Sequence, residues 1–540
     1  MIIFGTIVCC LFLAYLPAFR FGYIHHDDAL FFLSDWIYKI YGCFVFNFFS
    51  GRFLGAFILE YAMVAVNTVP GLALVRLLAF AVFSLCALIL FLWYRRYLLK
   101  TAEALMFVLI VFTLPYFEIV VSYAGIFFHS LGVLSAIGAG ALACHVSRKR
   151  PLLQALGHPL SVWPVFLLVC ALSIYQSSAV FYWALLGPIL LFAKQGEERL
   201  LRRQAAVYFA LGFIALIIYA GLLQITKQVM IRYSQLVYNP YDLSFAFGHK
   251  LVWFFQEPLM NSLNLWNVFP STALGLGVLA LILASLAFFG LRYVRDMKAQ
   301  GVSQKDIAAS LGWKACAFGS LFFLSFLPNM LWSGDIAFYR CTLGPSFLVV
   351  TLLFWSLRQW AGVLAPGRPE TFFSIILVVG LGAGIIFSNH NIYRWIAYPN
   401  HVELEFIKSR LAQNSSEAQD RAYLLQPGPG TLKERYDEFG FQTSNAPMDK
   451  VGFLVGALND MVSPRYKLSG LKFDQDKEEI SFLFADRRQN DLFATKMRIR
   501  AGTPGQVAAD DAPGLVIDTT MLYAPGAKLH YLRRDINSGL

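Results

Sequence analysis

The sequence predicts a mainly α-helical polytopic membrane protein, with about eleven transmembrane helices and a C-terminal soluble α/β domain. Three observations place the chain in a membrane. Of 540 residues, 58% are hydrophobic and only 14% charged, and the mean hydropathy is +0.58. Soluble domains carry about 25% charge, and a charge at a bilayer centre costs about 3 kcal/mol or more. Apolar runs of bilayer length recur from the first residue to about 389. Finally, the net charge of +11 lies entirely in the first part of the chain. From residue 390 onward there are 19 basic and 19 acidic residues, which leaves 25 and 14 before it.

Taken in order, residues 2–19 are apolar but have no basic leader and no Ala-x-Ala site, so they read as a retained span. Further spans are expected at 72–94, 104–121, 125–146, 160–176, 178–193, 205–226, 271–291, 315–333, 341–357 and 371–389. The pair 160–176 and 178–193 is tight. The segments at 95–100, 148–150, 194–203, 292–314 and 358–368 hold 17 of the 25 basic residues. They fall in alternate loops, so the N-terminus is expected in the cytoplasm and the C-terminal domain outside it. The basic excess is thus explained by topology, and nucleic acid is not expected as a partner. Residues 1–389 form the expected membrane domain and 390–540 the soluble one.

Beyond 390 the pattern changes. Residues 402–413 read as an amphipathic helix. The runs 421–425, 480–485, 492–500 and 514–519 read as strands set between Gly, Pro and Asp turns. None of the eight cysteines lies beyond Cys341, which excludes a disulfide scaffold for this region.

Candidate chemistry clusters on the expected outer side. The run YIHHDDALFFLSDW at 23–36 puts Asp27 and Asp28 where the first span leaves the membrane. They are either a solvated loop end or a general base, and adjacent residues of extended chain point opposite ways, so one of the two is expected to face a substrate. His25 and His26 are weak metal candidates, because consecutive residues rarely ligate one ion and no second cluster completes a site. No cofactor is therefore required, and a divalent cation is the less favoured addition. Residues 29–50 read as an aromatic helix in the membrane plane, followed by Gly51 and Arg52.

Eight basic residues oppose the topology rule: Arg20, Lys39, Arg52, Arg76, Lys227, Arg232, Lys250 and Arg340. Arg340 sits in a short outer turn, where it either pairs with Asp335 or clamps phosphate through its planar fork. Lys227 and Arg232 are candidate substrate contacts. Tyr175, Gln176, Ser177 and Ser178 form the polar turn between the tight pair of spans. Walker, H-E-x-x-H, G-x-S-x-G and dinucleotide motifs are absent from the sequence.

Together these segments resemble the GtrII-type O-antigen glucosyltransferases, within the GT-C class of polytopic glycosyltransferases. The likeness rests on Asp27–Asp28 followed by Gly51–Arg52, on LSIYQSS at 172–178, and on the Arg340 turn with the later SNHNIYRW. It spans residues 1–410 and departs at Leu30, Phe31 and Phe32, where an Arg is expected. The resemblance implies an inverting polyprenyl-phosphate-sugar-dependent hexosyltransferase in the bacterial inner membrane. Its donor would be undecaprenyl-phosphate glucose, and its acceptor O-antigen lipopolysaccharide or another periplasmic envelope glycan. Asp27 or Asp28 would be the base, Arg52 and Arg340 would hold the donor phosphate, and Tyr175 and Gln176 would line the substrate site. The alternatives are a lipid-linked sugar flippase or transporter, for which inverted repeats and broken central helices are expected, and an O-antigen ligase or polymerase.

Overall fold

The computed structural model describes residues 2–25, 28, 44–66, 69–149, 152–192, 198–233, 246–267, 272–335, 337–413, 421–427, 466–474, 479–486, 492–502 and 515–518. Up to residue 413 these are almost all helical. The principal helices are α1 (Ile2–Arg20), α2 (Val69–Tyr97), α3 (Thr101–Val111), α4 (Pro115–Ser122), α5 (His129–Lys149) and α6 (Val162–Ile174). They continue with α7 (Glu198–Tyr233), α8 (Phe247–Gln256), α9 (Thr272–Ala299), α10 (Gln304–Leu324), α11 (Leu343–Leu364), α12 (Pro369–Asn391) and α13 (Tyr398–Gln413).

Local chemistry sets the helix ends. Pro115 and Pro369 open α4 and α12, where a missing N–H costs nothing. Ser303 caps α10 by accepting the Asp306 N–H at 3.2 Å. Gly301, at φ +78°, supplies the left-handed residue of the α9–α10 turn.

Among the described residues, eight helices are long and apolar enough to cross a membrane, and nine if the bent pair α3 and α4 counts as one span. Every expected span coincides with helix, but the count of eleven is too high. The tight pair supplies the difference. Pro159–Ile174 and Gln176–Phe192 are shorter apolar helices. The second is broken into Gln176–Ala179, Phe181–Ala184 and Gly187–Phe192, with Tyr175 extended between the two arms. Hydropathy alone cannot separate such a broken, protein-buried hairpin from two full crossings. Broken helices are therefore present, here and at the 59° bend between α3 and α4.

Two groupings position the site. Helix α5 packs on α2, α6 and α7, and α1 packs on α2 and α12. The bundle core that they share with α3 and α11 includes rings such as Phe107 of α3, which meets Phe347 and Phe354 of α11 edge-on at 5.7 and 5.0 Å. Edge-on contact suits the ring quadrupoles and locks the helices laterally. The faces left uncovered carry large apolar residues such as Leu74, Ile217 and Val379, as a lipid-facing surface would.

Past α13 the described backbone forms β1 (Arg421–Pro427), β2 (Tyr466–Asp474), β3 (Glu479–Asp486), β4 (Leu492–Gly502) and β5 (Leu515–Asp518). They form one mixed sheet in the order β2-β3-β4-β1-β5. Strand β1 runs parallel to β4 and β5, and β2, β3 and β4 are antiparallel neighbours. All four strands expected from sequence coincide with members of this sheet; β2 was not anticipated.

Candidate functional site

The site is built where α1 ends, α2 and α5 begin, and α4 stops. At its floor lies Asp28, which is 1% exposed. Its Oδ2 accepts from Arg76 Nη2 at 2.9 Å and from the His25 N–H at 3.3 Å, and its Oδ1 accepts from the Gly125 N–H at 2.7 Å. Arg76 comes from the first turns of α2. Its Nε donates to the Ser122 carbonyl and its Nη2 to the Tyr23 carbonyl, both at 3.0 Å. Tyr23 in turn stacks beneath the guanidinium at 3.7 Å and donates its hydroxyl to Ser122 O at 2.9 Å. Burial pushes the Asp28 carboxyl above its usual range, while Arg76 and the Gly125 and His25 N–H groups pull it back. A buried carboxylate with these partners fixes the loop after α1 to the segment 122–125.

That segment leads directly to a second group. His129, at the start of α5, is buried and stacks face to face on Tyr175, with centroids 3.6 Å apart and planes 12° from parallel. Arg52 lies over the Tyr175 ring at 4.8 Å. Both Arg52 and Arg340 are close enough to act electrostatically on His129 and on Tyr175. Tyr175 also meets Cys341 Sγ, in the Arg340 turn, at 3.7 Å. Gln176 Nε2 donates to Ser50 O at 2.8 Å and to Tyr219 Oη at 2.6 Å, and Tyr219 donates to Gly51 O at 3.1 Å. Gly51 has φ +81°, and a Cβ there would lie 2.3 Å from Tyr219 Oη. Glycine is therefore what allows the chain to turn into Arg52.

The structure thus brings Arg52, Tyr175, Gln176 and Arg340 together, beside Asp28 through the segment 122–129. Asp335 is engaged by Lys250 Nζ at 2.6 Å and by His249 Nε2 at 2.7 Å. These two partners hold its carboxyl below the ordinary range. The Arg340 guanidinium stands 4.9 Å from the Phe338 ring centroid. Lys227 is half-buried on α7, with no hydrogen bond or ion pair to the group among the described residues. Arg232 ends the same helix, and its side chain lies outside the described residues, as do Asp27, His26 and most of the expected membrane-plane helix. The His25 ring stacks on Tyr123 at 3.6 Å. Among the described residues no three His, Cys, Asp or Glu side chains cluster as metal ligands.

Two residues escaped the sequence reading. His129 is a lone histidine in an apolar run, which carries no signal by itself. Glu118 is fully buried in α4, below Ser122. Arg76 was visible only as one of eight misplaced basic residues. Three polar atoms of this region, Arg76 Nη1, Ser122 Oγ and His129 Nδ1, are buried without a hydrogen-bond partner among the described residues. Such atoms mark a place where a ligand or water is needed to complete the pairing.

The sequence matches no protein-family model and no curated protein. Among solved structures, the chain is similar to the apo crystal structure of the Archaeoglobus fulgidus oligosaccharyltransferase. The TM-score is 0.34 and the identity 11%, over 78% of this chain and 62% of that one. This chain therefore spans less than two thirds of that protein's length, and a likeness of this size carries no argument about chemistry.

Proposed function

We propose that the protein is a membrane glycosyltransferase that moves a hexose, glucose by the GtrII resemblance, from a polyprenyl phosphate to an envelope glycan on the non-cytoplasmic side of the membrane. One observation carries the reading. Arg52 and Arg340 converge on a buried His129–Tyr175 stack, at the same end of the bundle as a buried acid, with buried polar atoms unmatched among the described residues. Guanidinium groups that stay charged at any accessible pH suit a phosphate in a partly dehydrated cavity.

In this reading Arg52 and Arg340 hold the donor phosphate, with His129 Nδ1 as a further hydrogen-bonding atom. Tyr175 and Gln176 shape the wall, and Lys227 and Arg232 are reserve contacts for substrate. Asp28 is already engaged by three donors, so it positions the loop, and its neighbour Asp27 is assigned the base. An acceptor hydroxyl oxygen attacks the anomeric carbon and gives its proton to the Asp27 carboxylate. The carbon–oxygen bond to phosphate breaks, and its electron pair leaves on the polyprenyl phosphate. One direct displacement inverts the anomeric centre. Residues 390–540, with their sheet, are proposed as an outer-face module that helps to recognise the acceptor.

The broken helices give a lipid-sugar flippase some support, because such breaks also build transport sites. The test scores both readings. Purified protein in vesicles receives a polyprenyl-phosphate hexose and an acceptor glycan, and both product and transbilayer movement are followed. Product with inverted configuration is expected. Asp27→Asn should lower its rate by about 10²–10⁴-fold, the usual worth of a general base. Movement of the donor without product would overturn the transferase reading.

A further inference from the structure

We propose that Tyr219 of α7 is a positioning residue that, together with Gln176, fixes the turn carrying Arg52 and so sets where that guanidinium stands over Tyr175. Arg52 lies between the short helix Val45–Phe49 and the helix Phe53–Ala65, as the residue that precedes the second, with φ −90° and ψ 55°. Within the segment, its N–H donates to Asn47 O at 2.9 Å and its Nη1 to Asn47 Oδ1 at 3.2 Å. These bonds shape the turn but leave open where it sits in the bundle. The seat comes from other helices. Gln176 Nε2 donates to Ser50 O at 2.8 Å, and Tyr219 Oη donates to Gly51 O at 3.1 Å. Both acceptors are backbone carbonyls, which only accept, so the amide presents its nitrogen and the phenol its hydrogen. The direction of both bonds thus follows from the acceptors alone, whatever else the two side chains touch. Gln176 Nε2 also lies 2.6 Å from Tyr219 Oη, so the two holders brace each other.

The packing around the turn is close enough to make this seat specific. A Cβ on Gly51 would meet Leu223 Cδ1 at 3.0 Å and Gln176 Nε2 at 3.2 Å, as well as Tyr219 Oη. Four residues on, a Cβ on Gly55 would meet Ile174 O at 2.5 Å and Phe128 Cε2 at 3.0 Å. Three consecutive hairpin residues therefore hold three parts of the segment. Ile174 does so through the close approach of Gly55, Tyr175 through the Arg52 guanidinium at 4.8 Å, and Gln176 through the Ser50 carbonyl. Tyr219 ties a second element, α7, to the same point. Its side chain is buried, and its ring centroid lies 6.2 Å from that of Phe53, the residue after Arg52. Ring and hydroxyl thus act on opposite sides of Arg52: the ring packs on the helix that follows, and the hydroxyl holds the carbonyl that precedes.

The seat stands apart from the proposed reaction; only the effect on donor binding rests on that reading. The test uses the full-length protein in detergent, with a short-chain polyprenyl phosphate, the proposed leaving group, as the probe. Tyr219→Phe removes one oxygen and keeps the ring. Without the probe it should speed amide exchange at 50–56 while unfolding close to the unmodified Tm. Its affinity for polyprenyl phosphate should fall roughly 10-fold, the worth of about one hydrogen bond. In an Arg52→Ala background the same substitution should change that affinity by less than about 2-fold, because residues that act through one contact are not additive. Unchanged exchange, unchanged affinity, or equal losses with and without Arg52 each overturn the proposal. Faster exchange in a protein of which no form binds polyprenyl phosphate supports the seat and sinks the phosphate reading of Arg52 alone.

Discussion

The Asp28–Arg76 pair is the residue-scale feature on which the floor depends. Both side chains are out of solvent, so removing one partner strands the other as a buried charge. Breaking such a pair costs about 3–5 kcal/mol, whereas replacing both with apolar or neutral groups of like size is often neutral. Arg76→Met is therefore expected to lower the unfolding temperature strongly, and Asp28→Asn combined with Arg76→Met to recover much of the loss. Thermal unfolding in detergent checks this, and a double variant no more stable than Arg76→Met would refute a closed pair. The acidic pair was legible from sequence, but its partner was not. Arg76 follows Asp28 by 48 residues, and only folding makes them neighbours. His129 and Glu118 were harder still, since one polar residue in an apolar run is compatible with almost any environment.

At the scale of elements, α8 shows how the Arg340 turn is held. Lys250 is buried on the inner face of α8, gives hydrogen bonds to Gly334 O and Asp335, and stands 4.7 Å from the Trp253 ring centroid. Asn261, in the next short helix, donates to Ala337 O at 2.9 Å. The Asp335 carboxyl is held low by its hydrogen bonds, so this contact is present above the ordinary carboxylate value of 3.8. It is lost only as pH falls below that value through the depressed one. Asp335→Asn is expected to loosen α8, raising amide exchange in 247–256 at neutral pH. Unchanged exchange would remove the contact from the account of the site. Helix positions were well marked by hydropathy, and the strands by their turns. What hydropathy hid was continuity, because Pro188 and the extended Tyr175 interrupt helices whose composition stays apolar.

Across the whole molecule, parity decides which side the site faces. Replacing the tight pair of spans by one buried hairpin removes two crossings, so nine spans preserve the odd count from which the outward C-terminus was inferred. A reporter fused after Asn400 is expected to be active only outside the cytoplasm, and one placed between Arg292 and Lys314 only inside. Activity of the first in the cytoplasm would reverse the orientation and put the site where nucleotide sugars are found.

The burial of Arg76 bears on how the chain is made. Synthesis runs from Tyr23 and Asp28 to Arg76 and then to Ser122, so the guanidinium enters the bilayer before one of its three hydrogen-bond partners, the Ser122 carbonyl, exists. An arginine within a span disfavours insertion by about 2.5–3.5 kcal/mol at the helix centre. The ribosome-bound chain carries α2 with its counter-charge Asp28 already made but with the Arg76 Nε hydrogen bond open until the end of α4 emerges. A stalled chain ending near Val111 would then hold α2 loosely and remain open to membrane proteases, while one extended past Gly125 would resist them. Quality control of this protein would accordingly act at one interval of translation, set by the distance along the chain between a charge and the carbonyl that receives it.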